Sequence, residues 1–72
     1  MKKLSEISTG TTVLVKEVAE SDYLLKLMEM GFIPGELVTV EKKAPMGDPI
    51  AVSVAGYQLS LRLNEAEHIW VE

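Results

Sequence analysis

The sequence predicts a mainly β fold: a small five-stranded barrel with one short α-helix between strands 1 and 2. Three observations lead to this prediction. The 72 residues suffice for one core, so we expect residues 1–72 to form a single domain. Most apolar residues stand in short runs that alternate with polar ones, and only one segment has helical spacing. Closing the strands into a barrel would remove exposed edges that invite aggregation.

Alternation of apolar and polar residues marks each predicted strand. The third and fourth strands are separated by Ala55-Gly56, a pair suited to the tight turn of a β-hairpin. We expect Tyr57, like Phe32, to pack in the core. Asn64 with Glu67 three residues later predicts a capping box over one helical turn before the last strand. The five predicted strands are residues 12–18, 37–42, 50–54, 57–63 and 68–72.

The one helical segment, residues 23–30, begins at a polar pair and carries an apolar stripe. Ser21-Asp22 offers side-chain oxygens to the free N–H groups at the start of a helix. Leu24, Leu27 and Met28 fall at positions i, i+3 and i+4, which share one face of a helix. We therefore expect a short helix whose apolar stripe faces the barrel.

A glycine marks the end of this helix. Gly31 stands where a left-handed residue is needed, a conformation that only glycine adopts without penalty. Phe32 and Leu27 are then placed to make the hydrophobic contact of a Schellman cap. Pro34-Gly35 suits the central positions of a type II turn. The helix is thus predicted to stop and turn directly into the next strand.

Charge and composition argue against several functions. The formal net charge of −4 repels phosphate backbones, so nucleic acid is not an expected partner. The chain has no cysteine, which excludes disulfides and thiolate metal sites. No run approaches the roughly 20 apolar residues that span a bilayer, so direct membrane insertion is not expected. These features predict a soluble, cytoplasmic protein.

The chain has few residues that could support catalysis or bind a metal ion. There is no cysteine nucleophile, and the only histidine, His68, has no evident serine partner, so enzymatic activity is not expected. His68, Glu65 and Glu67 are at most weak candidates for holding a divalent transition metal, because stable sites need several converging ligands. We therefore predict no resident cofactor.

Partner binding remains, and two segments carry suitable side chains. Methionines suit adaptable binding surfaces, and Met46 lies in a loop where we expect it to be exposed. Tyr23 combines an apolar body with a polar tip. The predicted contacting elements are the helix and the loop 44–49. The candidate partner-binding residues are Tyr23, Lys26, Met30, Met46 and Asp48.

Four segments, in this order, resemble the FeoA family, over a stretch from about residue 4 to the C-terminus. Residues 4–7 read Leu-Ser-Glu-Ile, and residues 27–35 read Leu-Met-Glu-Met-Gly-Phe-Ile-Pro-Gly. Residues 44–49 read Ala-Pro-Met-Gly-Asp-Pro, and Leu61-Arg62 is followed by Glu65-Ala66. The resemblance implies an SH3-like barrel. It also implies a role beside FeoB, a ferrous-iron transporter whose cytosolic part binds guanine nucleotides.

On this resemblance we expect a non-catalytic cytoplasmic accessory protein of ferrous iron transport, docking on the cytosolic G-protein domain of a FeoB-like membrane transporter. The alternative is a transition-metal-responsive regulatory domain like the SH3-like C-terminal module of iron-dependent repressors. Lys26 departs from the family, where arginine is frequent, and a lysine lacks the planar fork of a bidentate contact. The sequence leaves the oligomeric state open.

Overall fold

Six antiparallel strands, two short α-helices and one 3₁₀ turn make up the computed structural model, which describes all 72 residues. The mainly β prediction is confirmed, with one strand more than expected, and the predicted helix lies between the second and third strands. The elements are β1 (Lys2–Lys3), the 3₁₀ turn (Leu4–Glu6), β2 (Thr12–Val18), α1 (Leu24–Glu29), β3 (Leu37–Lys43), β4 (Ile50–Val54), β5 (Tyr57–Leu61), α2 (Leu63–Ala66) and β6 (Ile69–Val71).

The strands form one sheet in the order β1-β6-β2-β3-β4-β5. The pairing register shifts between Val15 and Glu17 in β2, and between Val40 and Lys42 in β3. Such irregularities bend a strand and increase its twist, which lets the sheet curl around a core. The molecule measures 28 × 23 × 21 Å along its principal axes. The two α-helices, of six and four residues, are too short to span a bilayer.

The core follows from alternation along the strands. In β4 the burial alternates residue by residue, with Ile50, Val52 and Val54 inside the barrel. Helix α1 contributes Leu27 to the same core, and Phe32 joins it after the helix. Both of these side chains are fully buried. The predicted strand alternation therefore identified the inward face of β4 correctly.

The end of α1 is a Schellman cap, as predicted. Phe32 N donates to Leu27 O at 3.1 Å and Gly31 N donates to Met28 O at 3.1 Å. Gly31 has a φ of +111°, in the left-handed region. An added Cβ there would lie 3.0 Å from the Cβ of Ala55, in the β4–β5 turn. The glycine thus both ends the helix and brings it against the hairpin.

Several elements differ from their predicted bounds. The β1 strand consists of two lysines that pair with Val71 and Trp70, and so short a segment has no alternation to recognise. Helix α2 begins at Leu63 after Arg62, whose N–H donates to Glu65 Oε1 at 2.9 Å. The predicted cap at Asn64 and Glu67 was therefore wrong by two residues, and the fourth predicted strand ends at Leu61.

Candidate functional site

A half-buried ion pair joins the two helices. Lys26 Nζ in α1 lies 2.7 Å from Glu65 Oε2 in α2. Glu65 is 5% exposed, whereas the side chain of Lys26 is 62% exposed. The second carboxylate oxygen, Oε1, accepts the hydrogen bond from Arg62 N. Both oxygens of Glu65 therefore have partners, and Lys26 contacts only one of them.

The surroundings of Glu65 favour its charged form. The hydrogen bond from Lys26 lowers the pKa of Glu65, while desolvation by burial opposes it and the hydrogen bond from Arg62 N adds to the lowering. The carboxylate is thus held ionised by a cation and a backbone dipole together. The ammonium group of Lys26 beside this carboxylate repels a metal ion that approaches it.

Tyr23 and His68 pack beside this ion pair. The amide of Asn64 donates to the Tyr23 hydroxyl at 3.1 Å. The Tyr23 and His68 rings are 5.3 Å apart, centroid to centroid, and tilted by 56°. The His68 Nδ1 lies 2.7 Å from the backbone oxygen of Asn64. These contacts fix α1, α2 and the start of β6 against one another.

The three metal candidates have separate surroundings. His68 bonds to Asn64, Glu65 binds Lys26, and Glu67 is exposed. No group of three histidine or acidic side chains in the structure is placed to hold a metal ion. Weak capture of a divalent ion at these residues stays a prediction.

The loop 44–49 also reaches α2. Asp48 Oδ1 accepts a hydrogen bond from Leu63 N at 3.0 Å, which ties the loop to the first turn of the helix. Met46, in the same loop, is 92% exposed and Met30 is half-buried against the core. Tyr23, Asp48 and three α2-region residues line an open polar groove of about 430 Å³; the three are Arg62, Asn64 and Glu65.

The structure thus brings four of the five predicted partner-binding residues into internal contacts. Tyr23, Lys26 and Asp48 join α1 and the loop to α2, and Met30 packs on the core. Met46 alone is free of them. Their role in partner binding stays a prediction, with Met46 the most accessible of the five.

The whole chain corresponds to a known family. A family model described as the FeoA domain matches residues 2–72. This chain belongs to the FeoA family. The resemblance drawn from the sequence motifs is thereby confirmed. The Lys26–Glu65 pair therefore lies within a FeoA domain.

A FeoA relative is joined to FeoB in one polypeptide. The Fe(2+) transport protein A/Fe(2+) transporter FeoB fusion protein of Porphyromonas gingivalis is 37% identical to this chain over 71 residues. The match takes in 97% of this chain and 8% of the fusion protein, so this chain spans a small part of that relative.

Solved FeoA structures share the fold. A FeoA-like protein from Clostridium acetobutylicum is 44% identical, with a TM-score of 0.94, and the match covers 99% of this chain and 84% of that one. The FeoA of Stenotrophomonas maltophilia, solved with zinc and described as a prokaryotic SH3 domain protein, is 31% identical with a TM-score of 0.89. That match covers 100% of this chain and 91% of the other, and it confirms the SH3-like class.

Manganese-dependent transcriptional repressors contain a domain of the same shape. Two of them match with TM-scores of 0.87 and 0.89, at 21% and 22% identity. The match covers 97% and 99% of this chain, and 40% and 35% of the repressors. At that level of identity the likeness shows a shared fold and nothing about regulation.

This FeoA domain also exposes apolar side chains that sequence reasoning missed. Leu25 is 70% exposed on α1, where it stands one position outside the apolar stripe, a signal that could have identified it. Tyr57 is 69% exposed, so the expectation that it packs in the core was wrong. It lies on the inward face of β5, but no strand beyond β5 covers it.

Proposed function

We propose that this chain is a non-catalytic, cytoplasmic accessory protein of ferrous iron transport that docks on the cytosolic G-protein domain of a FeoB-like membrane transporter. The fusion of a FeoA relative to FeoB in Porphyromonas gingivalis carries the proposal. Fusion holds two domains at high effective concentration, and a separate chain reaches the same arrangement through a binding surface.

The surface features of this domain support a role in binding. The exposed thioether of Met46 and the exposed Leu25 are apolar groups that a partner would cover. The loop that carries Met46 is held by the Asp48 hydrogen bond to α2. A loop anchored in this way loses less conformational freedom on binding than an unanchored one.

Calorimetric titration of the chain with the cytosolic domain of the FeoB-like transporter from the same organism tests the docking. We expect saturable binding that Met46→Asp weakens, because the substitution places a charge in an apolar contact. Thr9→Asp, which adds the same charge at another exposed position, is the matched control and should bind as the parent does. Absence of binding at tens of micromolar, with both partners folded, would contradict the proposal.

In this role the domain needs no resident cofactor, and divalent transition metals are expected to bind weakly. The repressor likeness is confined to the fold, so it gives the regulatory alternative no further support. Titration of the chain with Fe²⁺, Mn²⁺ and Zn²⁺ separates the two. Stoichiometric binding to the monomer, tighter than about 1 µM, would favour a metal-responsive domain over an accessory protein.

A further inference from the structure

Strand β5 stands at one end of the sheet order and β1 at the other. Each therefore has a neighbour on one side only. A free strand edge presents unpaired N–H and C=O groups, which can pair with a strand from another chain.

The hairpin turn determines which groups of β5 face its free side. Ala55 has a φ of +51° and Gly56 a φ of +83°, as in the two-residue type I′ turn. The residues that flank such a turn, Val54 and Tyr57, exchange hydrogen bonds with each other, and they are partners in the β4–β5 register.

Hydrogen-bonded and non-hydrogen-bonded pairs alternate along antiparallel strands. Counting from Tyr57, Leu59 and Leu61 also bond to β4, whereas Gln58 and Ser60 direct their N–H and C=O groups to the free side. No hydrogen bond reaches β5 from any element other than β4. Two donors and two acceptors of the main chain are thus open along this edge.

The two edges differ in protection. Proteins commonly blunt a free edge by shortening the strand or by adding lysine, proline or a bulge. The β1 edge has two residues, both lysine. Strand β5 has five residues, Tyr-Gln-Leu-Ser-Leu, with no charge and no proline, and its pairing register is regular throughout. Only the β5 edge lacks these protective features.

Apolar side chains accompany the open groups. Tyr57 and the half-buried Leu59 lie on the inward face of β5, where an added strand would cover them. Two contacts tie the α1 region to the residues that border β5. Lys26 binds Glu65, which follows the strand, and Gly31 meets Ala55, which precedes it.

We propose that β5 is an edge for strand addition and that its occupant is an extended segment of the FeoB-like transporter's cytosolic part. The incoming segment would hydrogen-bond to the main chain of Gln58 and Ser60 and place alternate apolar side chains against Tyr57 and Leu59. The chain's own net charge of −4 disfavours a second copy at this edge and favours an uncharged or basic segment. This inference rests on the proposed function, because it names the contact through which the same partner docks.

A pair of substitutions at one position tests the edge. Ser60→Pro removes the outward N–H, at a site where proline is tolerated because the lost donor does not pair with β4. Ser60→Ala removes the hydroxyl and keeps the N–H. In titrations with the transporter's cytosolic domain, Ser60→Ala should bind as the parent does. Ser60→Pro should bind about 10-fold more weakly or worse, since one partner acceptor loses its donor.

Proline also restricts the backbone, so Ser60→Pro alone does not separate the loss of the donor from a change in folding. A semisynthetic chain with an N-methyl group on Ser60 removes the same donor without the ring, and it should lose affinity to a similar extent. Amide hydrogen exchange supplies the direct readout. The N–H groups of Gln58 and Ser60 should exchange quickly in the free chain and slow by at least about 10-fold in the complex.

The outcomes separate this contact from docking itself. If the parent, Ser60→Pro and N-methyl chains all bind tightly, docking is supported but the β5 contact is overturned. No binding by the parent would overturn both. Protection of the two amides that grows with the concentration of the chain alone would assign the edge to a second copy and overturn the transporter as occupant.

Discussion

The ammonium group of Lys26 lies 2.7 Å from the carboxylate of Glu65, across 39 residues of sequence. Glu65 is buried, and its other oxygen caps the start of α2 through Arg62 N. The pair therefore connects the helix that follows β2 to the helix that follows β5. Two further predicted partner-binding residues, Tyr23 and Met30, border α1 at its two ends, so this contact joins the region that carries them to α2.

Removing the cation should destabilise the fold. Lys26→Met leaves the buried carboxylate with only the Arg62 N–H, so the free energy of unfolding should fall by about 1–3 kcal/mol. Lys26→Arg restores a donor and should stay within about 0.5 kcal/mol of the parent. Urea denaturation measures both. Lys42→Met, at an exposed lysine without an ion pair, is the matched control and should change little; an equal loss there would remove the assigned role of the pair.

The same pair gives stability a dependence on pH. The pKa of Glu65 is lowered below its ordinary value of 4.5, chiefly by Lys26. A carboxyl group of this kind stabilises the fold fully above its unfolded-state pKa, and the contribution is lost as the pH falls through the folded-state pKa. The difference in urea midpoint between the parent and Glu65→Gln should therefore shrink on acidification from about pH 7 to about pH 3. A difference that stays constant over that range would contradict the assignment.

Contacts between residues close in sequence could be predicted, and contacts between residues far apart in sequence could not. The Gly31 cap and the Leu27–Phe32 contact depend on residues close in sequence, and both were predicted correctly. The Lys26–Glu65 pair depends on how β2 through β5 fold together, so no local pattern in a single sequence reveals it. For Tyr57, alternation gave the correct face of the strand but not how far the core extends along it.

Two aromatic residues of the chain should differ sharply in their contribution to stability. Phe32 is fully buried, so Phe32→Ala should lower the free energy of unfolding by about 3–5 kcal/mol. Tyr57 is 69% exposed at the sheet edge, so Tyr57→Ser should cost much less, about 1 kcal/mol or below. Thermal and urea unfolding of both variants provide the comparison. Similar losses for the two would mean that Tyr57 is buried in solution, and the open edge of β5 would then be doubtful.

Gly31 is constrained both by its backbone conformation and by its contact with Ala55, and a comparison with Gly10 distinguishes the two effects. Its φ of +111° disfavours any other residue, and an added Cβ would lie 3.0 Å from the Cβ of Ala55. Gly10 has a φ of +87° with nothing within 4 Å of an added Cβ. Gly10→Ala should therefore cost about 1 kcal/mol, from backbone strain alone. Gly31→Ala should cost more, by about 1–2 kcal/mol, because the helix end must also move away from the hairpin turn.

Urea unfolding gives both values, and amide chemical shifts of residues near Ala55 should change only in Gly31→Ala. Equal losses for the two variants would show that the helix end and the β4–β5 turn are not in close contact.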